Sequence, residues 1–152
     1  MYLSEMPEPM RDSLVNQQMP DYDETPCASG PPLNERRIAI ITTAGLHRHD
    51  DQPFVPGRGE FRVIPDDTDV ADLITSHVST NFDRTGLLRD INTVYPIDRL
   101  RELMADGTVG SVAASHYAFM GATPPTAHAE LAKRMAGDMK RDGVDGVLLA
   151  GV

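Results

Sequence analysis

The longest apolar run near the start of the chain is Arg36-Arg37-Ile38-Ala39-Ile40-Ile41-Thr42-Thr43. It is continuous and largely β-branched, the pattern of a strand buried on both faces of a parallel sheet. Ala44-Gly45 breaks the run, and a loop from His47 to about Asp69 carries Pro53, Pro56, Gly57, Gly59 and Pro65. Within that loop residues 60–64 alternate and read as a short edge strand, and residues 69–73 have room for one helical turn. Residues 75–92 are polar and irregular. Pro96 then opens a helix over residues 97–105, with Ile97, Leu100, Leu103 and Met104 as its apolar face and Gly107 as its stop. Residues 109–113 read as a short strand and residues 116–121 as an apolar loop. The strongest helical signal starts at Thr123-Pro124-Pro125 and runs to about Arg141. It places Leu131, Ala132, Met135, Ala136 and Met139 on one face and Lys133, Arg134, Asp138, Lys140 and Arg141 on the other. Gly143 ends it, and residues 144–152 form a closing apolar strand. This order predicts an α/β domain, an open and mainly parallel sheet with flanking helices. Residues 37–43 and 144–152 are expected to be parallel neighbours in it, both buried.

Composition separates the leader from the domain. The 152 residues carry a formal charge of −9. Seven of the 23 acids and one of the 14 bases precede Arg36, as do six of the 12 prolines. Residues 1–35 therefore read as an acidic, Pro-rich tail with room for a short helix near residues 10–18, and residues 36–152 as the folded domain. No basic run exists to neutralise phosphates, which argues against nucleic acid as a partner. No apolar stretch approaches a membrane span, and the start lacks the pattern of a signal peptide, so a cytoplasmic location is expected. The single cysteine, Cys27, excludes an internal disulfide framework. Asp21, Asp23 and Glu24 beside it disfavour a thiolate, so it reads as incidental.

Three clusters could carry chemistry. His47-Arg48-His49-Asp50-Asp51 lies past the first strand, and His47, His49 and Asp50 together have the chemistry of a metal-dependent hydrolase; a solvated polar loop fits the same residues. His77, Asp83, Asp90 and Asn92 occupy a second polar stretch, as substrate contacts or as turn formers. His116-Tyr117 stands in an apolar context, so its polar groups must find partners. There the pair could hold an anionic substrate or move a proton near neutral pH, or His116 could be a hydrogen-bonded core histidine.

Several segments in order resemble one family. They are residues 38–47 with Pro53-Phe54, Arg62-Val63-Ile64-Pro65 with Ser76-His77, and the run from Arg89-Asp90-Ile91-Asn92 through Tyr95-Pro96-Ile97-Asp98 to Leu103. Gly110-Ser111 with residues 116–121, and Asp142-Gly143-Val144-Asp145-Gly146-Val147-Leu148-Leu149, complete the set. Together they resemble the selenoprotein B family of glycine, sarcosine, betaine and D-proline reductases. The resemblance implies a component that reductively cleaves a C–N bond of a small amino-acid-like substrate with electrons from a thiol or dithiol donor, alongside other reductase subunits and with a homo-oligomer possible. It implies no cofactor beyond selenocysteine, and no metal. In the family a redox selenocysteine or cysteine follows the strand matched by residues 144–152. It is therefore expected immediately after Val152, where a selenocysteine codon would also read as a stop. On this reading the domain is truncated at its C-terminus and inactive alone. His116, Tyr117 and His47 are the expected catalytic groups. His77, Asp83, Asp90 and Asn92 are the expected substrate contacts, with His47, His77 and His116 converging near the end of the last strand. A non-redox small-molecule binding domain is the alternative, and the hydrolase a third.

Overall fold

Ile38, Ala39, Ile40 and Thr42 of the first central strand, Arg37–Thr42, are all buried, as an unbroken apolar run between two layers requires. The structure, a computed structural model, describes residues 2–19, 21, 28–80 and 82–152. Cys27 lies outside the described residues. The leader contributes helix α1 (Glu8–Val15), which buries none of its residues. After it come β1 (Arg37–Thr42), β2 (Leu46–Arg48), β3 (Phe61–Pro65), β4 (Leu73–Thr75), α2 (Arg84–Arg89) and α3 (Ile97–Ala105). β5 (Ser111–Val112), β6 (Ser115–Phe119), α4 (Ala129–Arg141) and β7 (Gly146–Ala150) complete the order.

β1 is the axis of a five-stranded, mainly parallel sheet. Along one side β5 pairs with Arg37 and Ile38, and β6 with Ile41 and Thr42, both parallel. Along the other side β7 runs parallel, from Ile38 opposite Gly146 to Thr42 opposite Ala150. β3 adds to β6 antiparallel, with Val63 opposite Tyr117. β2 and β4 form a separate antiparallel pair. Alternation along β1 and β6 sorts side chains into two cores. Ile38, Ile40, Ile64 and Ala118 pack with Tyr95, Ile97 and Leu100 on the α3 face. Ala39 and Tyr117 pack with Met135 and Met139 on the α4 face. Each fully buried Ile, Leu or Met side chain among them contributes about 1.5–3 kcal/mol.

The expected parallel pairing of β1 with the last strand is present, but the expected burial of that strand is not. Val147, Leu148 and Leu149 are 43%, 40% and 73% exposed. β7 is an edge, hydrogen-bonded among the described strands to β1 alone, so an apolar sequence there does not mean a covered one. Other differences have similar origins. Residues 116–121, read as a loop, begin inside β6, and the start of the long loop holds β2, because both strands exist only through distant partners. The segment read as irregular contains α2 and a 3-10 turn, Ile91–Thr93. A 3-10 turn, Pro125–His128, delays the start of α4. Helix α3 matches its expected span, yet only Ile97 and Leu100 are buried, while Leu103 and Met104 are each 40% exposed. Gly107 and Gly143 follow α3 and α4 at φ of 81° and 73°, the left-handed conformation that ends helices.

One polar clamp joins the sheet's leading ends. Arg37 donates its backbone N–H to Asp145 Oδ1 at 2.8 Å and its guanidinium to Asp142 Oδ1 at 2.8 Å. Asp142 Oδ2 accepts the Ala114 N–H at 2.8 Å. Burial alone would raise the Asp142 carboxyl, but Arg37 and the Ala114 and Ser115 N–H groups hold it below its ordinary value. Among the described residues no helix is long and apolar enough to cross a membrane.

Candidate functional site: a cavity at the strand ends

Parallel strands present their carboxyl ends together, and in open α/β sheets that edge is where ligands bind. Here the edge is tied by backbone and side-chain bonds. Thr43 N–H donates to Ala150 O at 3.0 Å, and Gly121 N–H to Thr43 O at 2.9 Å. Val152 N–H donates to Thr43 Oγ1 at 2.9 Å. Gly121 permits this approach, since a Cβ there would stand 2.8 Å from Thr43 Cβ. Beyond the tied edge lies a cavity of about 770 Å³, walled by Thr43, Phe119, Thr123, His128, Ala132 and Val152. It is thus bounded by the ends of β1, β6 and β7 and by the entry to α4.

Its polar groups are few. Thr123 is 4% exposed, and its Oγ1 is buried without a hydrogen-bond partner among the described residues, as is His128 Nε2. Burial lowers the His128 pKa, which keeps the ring neutral at pH 7. Its ring lies 4.8 Å from that of Phe119. Asp21 and Lys133 are the charged side chains on the wall among the described residues. Lys133 Nζ is 2.8 Å from Glu130 Oε1, while Asp21 makes no ion pair among the described residues. A second cleft of about 190 Å³, lined by Ile41, Phe61, Met135 and Leu149, shares Phe119 and His128.

The residues singled out from sequence sit elsewhere, on separate partners. His116 is fully buried, and its Nδ1 accepts the Ile40 N–H at 3.0 Å. It stands where the β1 ladder passes from β5 to β6, and the ring supplies the acceptor that neither strand provides. The other ring nitrogen is 3.4 Å from Asp66 Oδ1, which Arg101 also holds at 2.9 Å. Tyr95 packs edge-on, 5.6 Å away. Burial lowers the His116 pKa, and Asp66 opposes that shift. Tyr117 follows His116 in a strand, so it faces the opposite layer, against Phe61 at 5.8 Å. Burial raises its hydroxyl pKa, with Asp138 and Asp142 adding to the effect.

His47 is 1% exposed, with Nδ1 2.8 Å from Arg48 O and its ring 6.1 Å from Phe54. His77 is 6% exposed, takes the Ser79 N–H on Nδ1 at 3.2 Å, and packs 5.0 Å from Phe82. Burial, with Arg84 adding to it, lowers its pKa. Each leaves Nε2 buried and unpaired among the described residues. Asp83 caps α2 through the Thr85 N–H, and Asp90 caps the next turn through the Asn92 N–H. The Asn92 side chain is divided between Asp90 and Asp98. None of His47, His77, His116 and Tyr117 lines the cavity. Among the described residues no three His, Cys, Asp or Glu side chains gather to hold a metal ion, so His47, His49 and Asp50 do not assemble a ligand set.

Thr43, Thr123 and His128 were not singled out in the sequence. Thr43 closes an apolar run and Thr123 opens a helix, so both read as punctuation. The available signal was position, since each lies just past a strand end or before the next helix.

The model of the glycine/sarcosine/betaine reductase selenoprotein B family matches residues 14–152. The D-proline reductase subunit gamma of Acetoanaerobium sticklandii is 35% identical over 120 residues, covering 77% of this chain and 49% of that protein. The glycine reductase complex component B subunit gamma of Symbiobacterium thermophilum is 29% identical over 143 residues, covering 86% and 32%. The sarcosine reductase complex component B subunit beta of Peptoclostridium acidaminophilum is 25% identical over 138 residues, covering 86% and 31%. The chain thus spans from about a third to about half the length of these relatives. No solved structure matches.

Proposed function

The chain belongs to the glycine/sarcosine/betaine reductase selenoprotein B family, and from that premise we propose that its cavity is the substrate end of a reductase that cleaves a C–N bond. The observation that carries this reading is the cavity's place, with Val152 in the wall at the carboxyl end of β7. A selenol or thiol presented beside Val152 would open directly into it. As selenolate or thiolate it would be the nucleophile of the reaction. A dithiol donor supplies two electrons and becomes a disulfide, and the substrate exchanges its C–N bond for C–H and a free amine. Thr43, Thr123 and His128 hold the substrate, and the apolar wall excludes water. His116, with Asp66 and Arg101, secures the sheet that carries the site. Other reductase subunits and a thiol donor are the partners this reading requires.

The test places a thiol where the nucleophile is expected. In a Cys27→Ser background, Val152→Cys should alkylate with iodoacetamide faster than free cysteine, and glycine, sarcosine, betaine or D-proline should slow it at saturating concentration. Those amines should also shift the NMR signals of Thr43, Phe119 and residue 152. Alkylation indifferent to all four amines, with no shift at these positions, would sink the proposal. Protection without dithiol-dependent amine release, even with partner subunits added, would assign the cavity to binding alone.

A further inference from the structure

The cavity is large for the molecules named in its relatives. At about 770 Å³ it lies in the ~300–1,000 Å³ range of sites that enclose drug-sized ligands. Most of its wall is hydrocarbon, from Phe119, Ala132, Ala136 and Val152. Its polar features are of two kinds. Asp21 is an exposed carboxylate without an ion pair among the described residues, whereas the charge of Lys133 is met by Glu130. With His128 neutral, the field at the wall favours a cation. Thr123 Oγ1 and His128 Nε2, in turn, are buried groups without a partner among the described residues, and such groups favour a ligand that supplies one. A hydroxyl and an imidazole N–H can both donate to one carboxylate. Both atoms are buried, so a carboxylate entering the cavity would have to draw the Thr123 hydroxyl to it by rotation about χ1.

We infer that this cavity takes an α-amino acid with a bulky apolar side chain, its ammonium held by Asp21 and its carboxylate by Thr123 and His128. The inference rests on the cavity being the substrate site, as proposed above, and adds to it the size of the substrate and the residues that read its two ends. It gives the acidic leader a place in recognition, since Asp21 belongs to it.

The test is calorimetric titration of the full chain with four ligands. These are glycine, phenylalanine, 3-phenylpropanoate (which lacks the ammonium) and 2-phenylethylamine (which lacks the carboxylate). Phenylalanine should bind at least ~10-fold more tightly than glycine. Asp21→Asn should weaken phenylalanine and 2-phenylethylamine about tenfold and leave 3-phenylpropanoate unchanged. Thr123→Val should do the reverse, weakening the two carboxylates and sparing the amine. That variant should also raise the melting temperature of the free protein, because it removes an unpaired buried hydroxyl. A hydroxyl serving only the fold would give a lower melting temperature instead. Glycine binding as well as phenylalanine, or Asp21→Asn weakening all three aromatic ligands alike, overturns this inference. If either happens while ligands still shift the NMR signals of Thr43, Phe119 and Val152, the substrate-site reading stands without it. If no ligand shifts those signals, both fall.

Discussion

At the scale of single residues, the informative side chain is one that does not line the cavity. His116 Nδ1 takes the Ile40 N–H inside the sheet, so the ring replaces a backbone acceptor. His116→Ala would leave that N–H buried and unpaired and would open a void; a loss of about 2–4 kcal/mol is expected in urea unfolding at pH 7.5. His116→Asn keeps an acceptor oxygen near the same place and should lose about half as much. Protonation has a defined sign. Burial lowers the His116 pKa in the native state, with Asp66 opposing and Arg101 assisting, so below about pH 6.5 the unfolded chain takes up a proton that the native chain refuses. Stability should be level above that pH and fall as the pH drops toward the native pKa. His77 and His128 are shifted the same way, so the fall should be steeper than one group gives. Urea midpoints between pH 5 and pH 8 check it, and a flat profile would contradict it. The sequence could offer His116 as either a core or a catalytic residue and could not choose. The choice depends on residues 115–119 being a strand, which also turns Tyr117 to the other layer. Asp83, Asp90 and Asn92 were open to the same ambiguity, and their bonds here are local caps.

At the scale of elements, legibility followed locality. β1, α3 and the body of α4 were readable within a residue or a few, because a continuous run, a Pro start or a Gly stop is written in neighbouring residues. β5 falls inside the short strand read over residues 109–113, whereas β2 and β6 draw their existence from strands far away, and no short window holds that information. Even for α3 the apolar stripe overstated the buried face. Leu100 is 3% exposed and Leu103 is 40% exposed. Leu100→Ala should therefore cost about 2–5 kcal/mol, and Leu103→Ala should stay within roughly 0.5 kcal/mol, as surface changes do. Equal costs in chemical denaturation would mean that the helix is rotated relative to the sheet described here.

At the scale of the whole molecule, the exposed flank is β7. Leu149 is 73% exposed on a strand with one hydrogen-bonding edge unmatched among the described residues, and such edges promote association. Leu149→Lys should raise the solubility limit and reduce concentration-dependent association in sedimentation velocity, with little change in folding. An unchanged sedimentation profile would show that the edge is inert. The position of β1 has a further consequence, which concerns time. The strand at the centre of the sheet is made early, and 108 residues separate Arg37 from the Asp145 that clamps it. At ribosomal speeds of ~5–20 residues per second, roughly 5–20 s pass before its β7 partner exists. Throughout that interval the apolar β1 must wait without its β7 neighbour. The nascent polypeptide thus presents an unpaired apolar strand of the kind that holding chaperones take up, and the speed of its synthesis should bear on its yield.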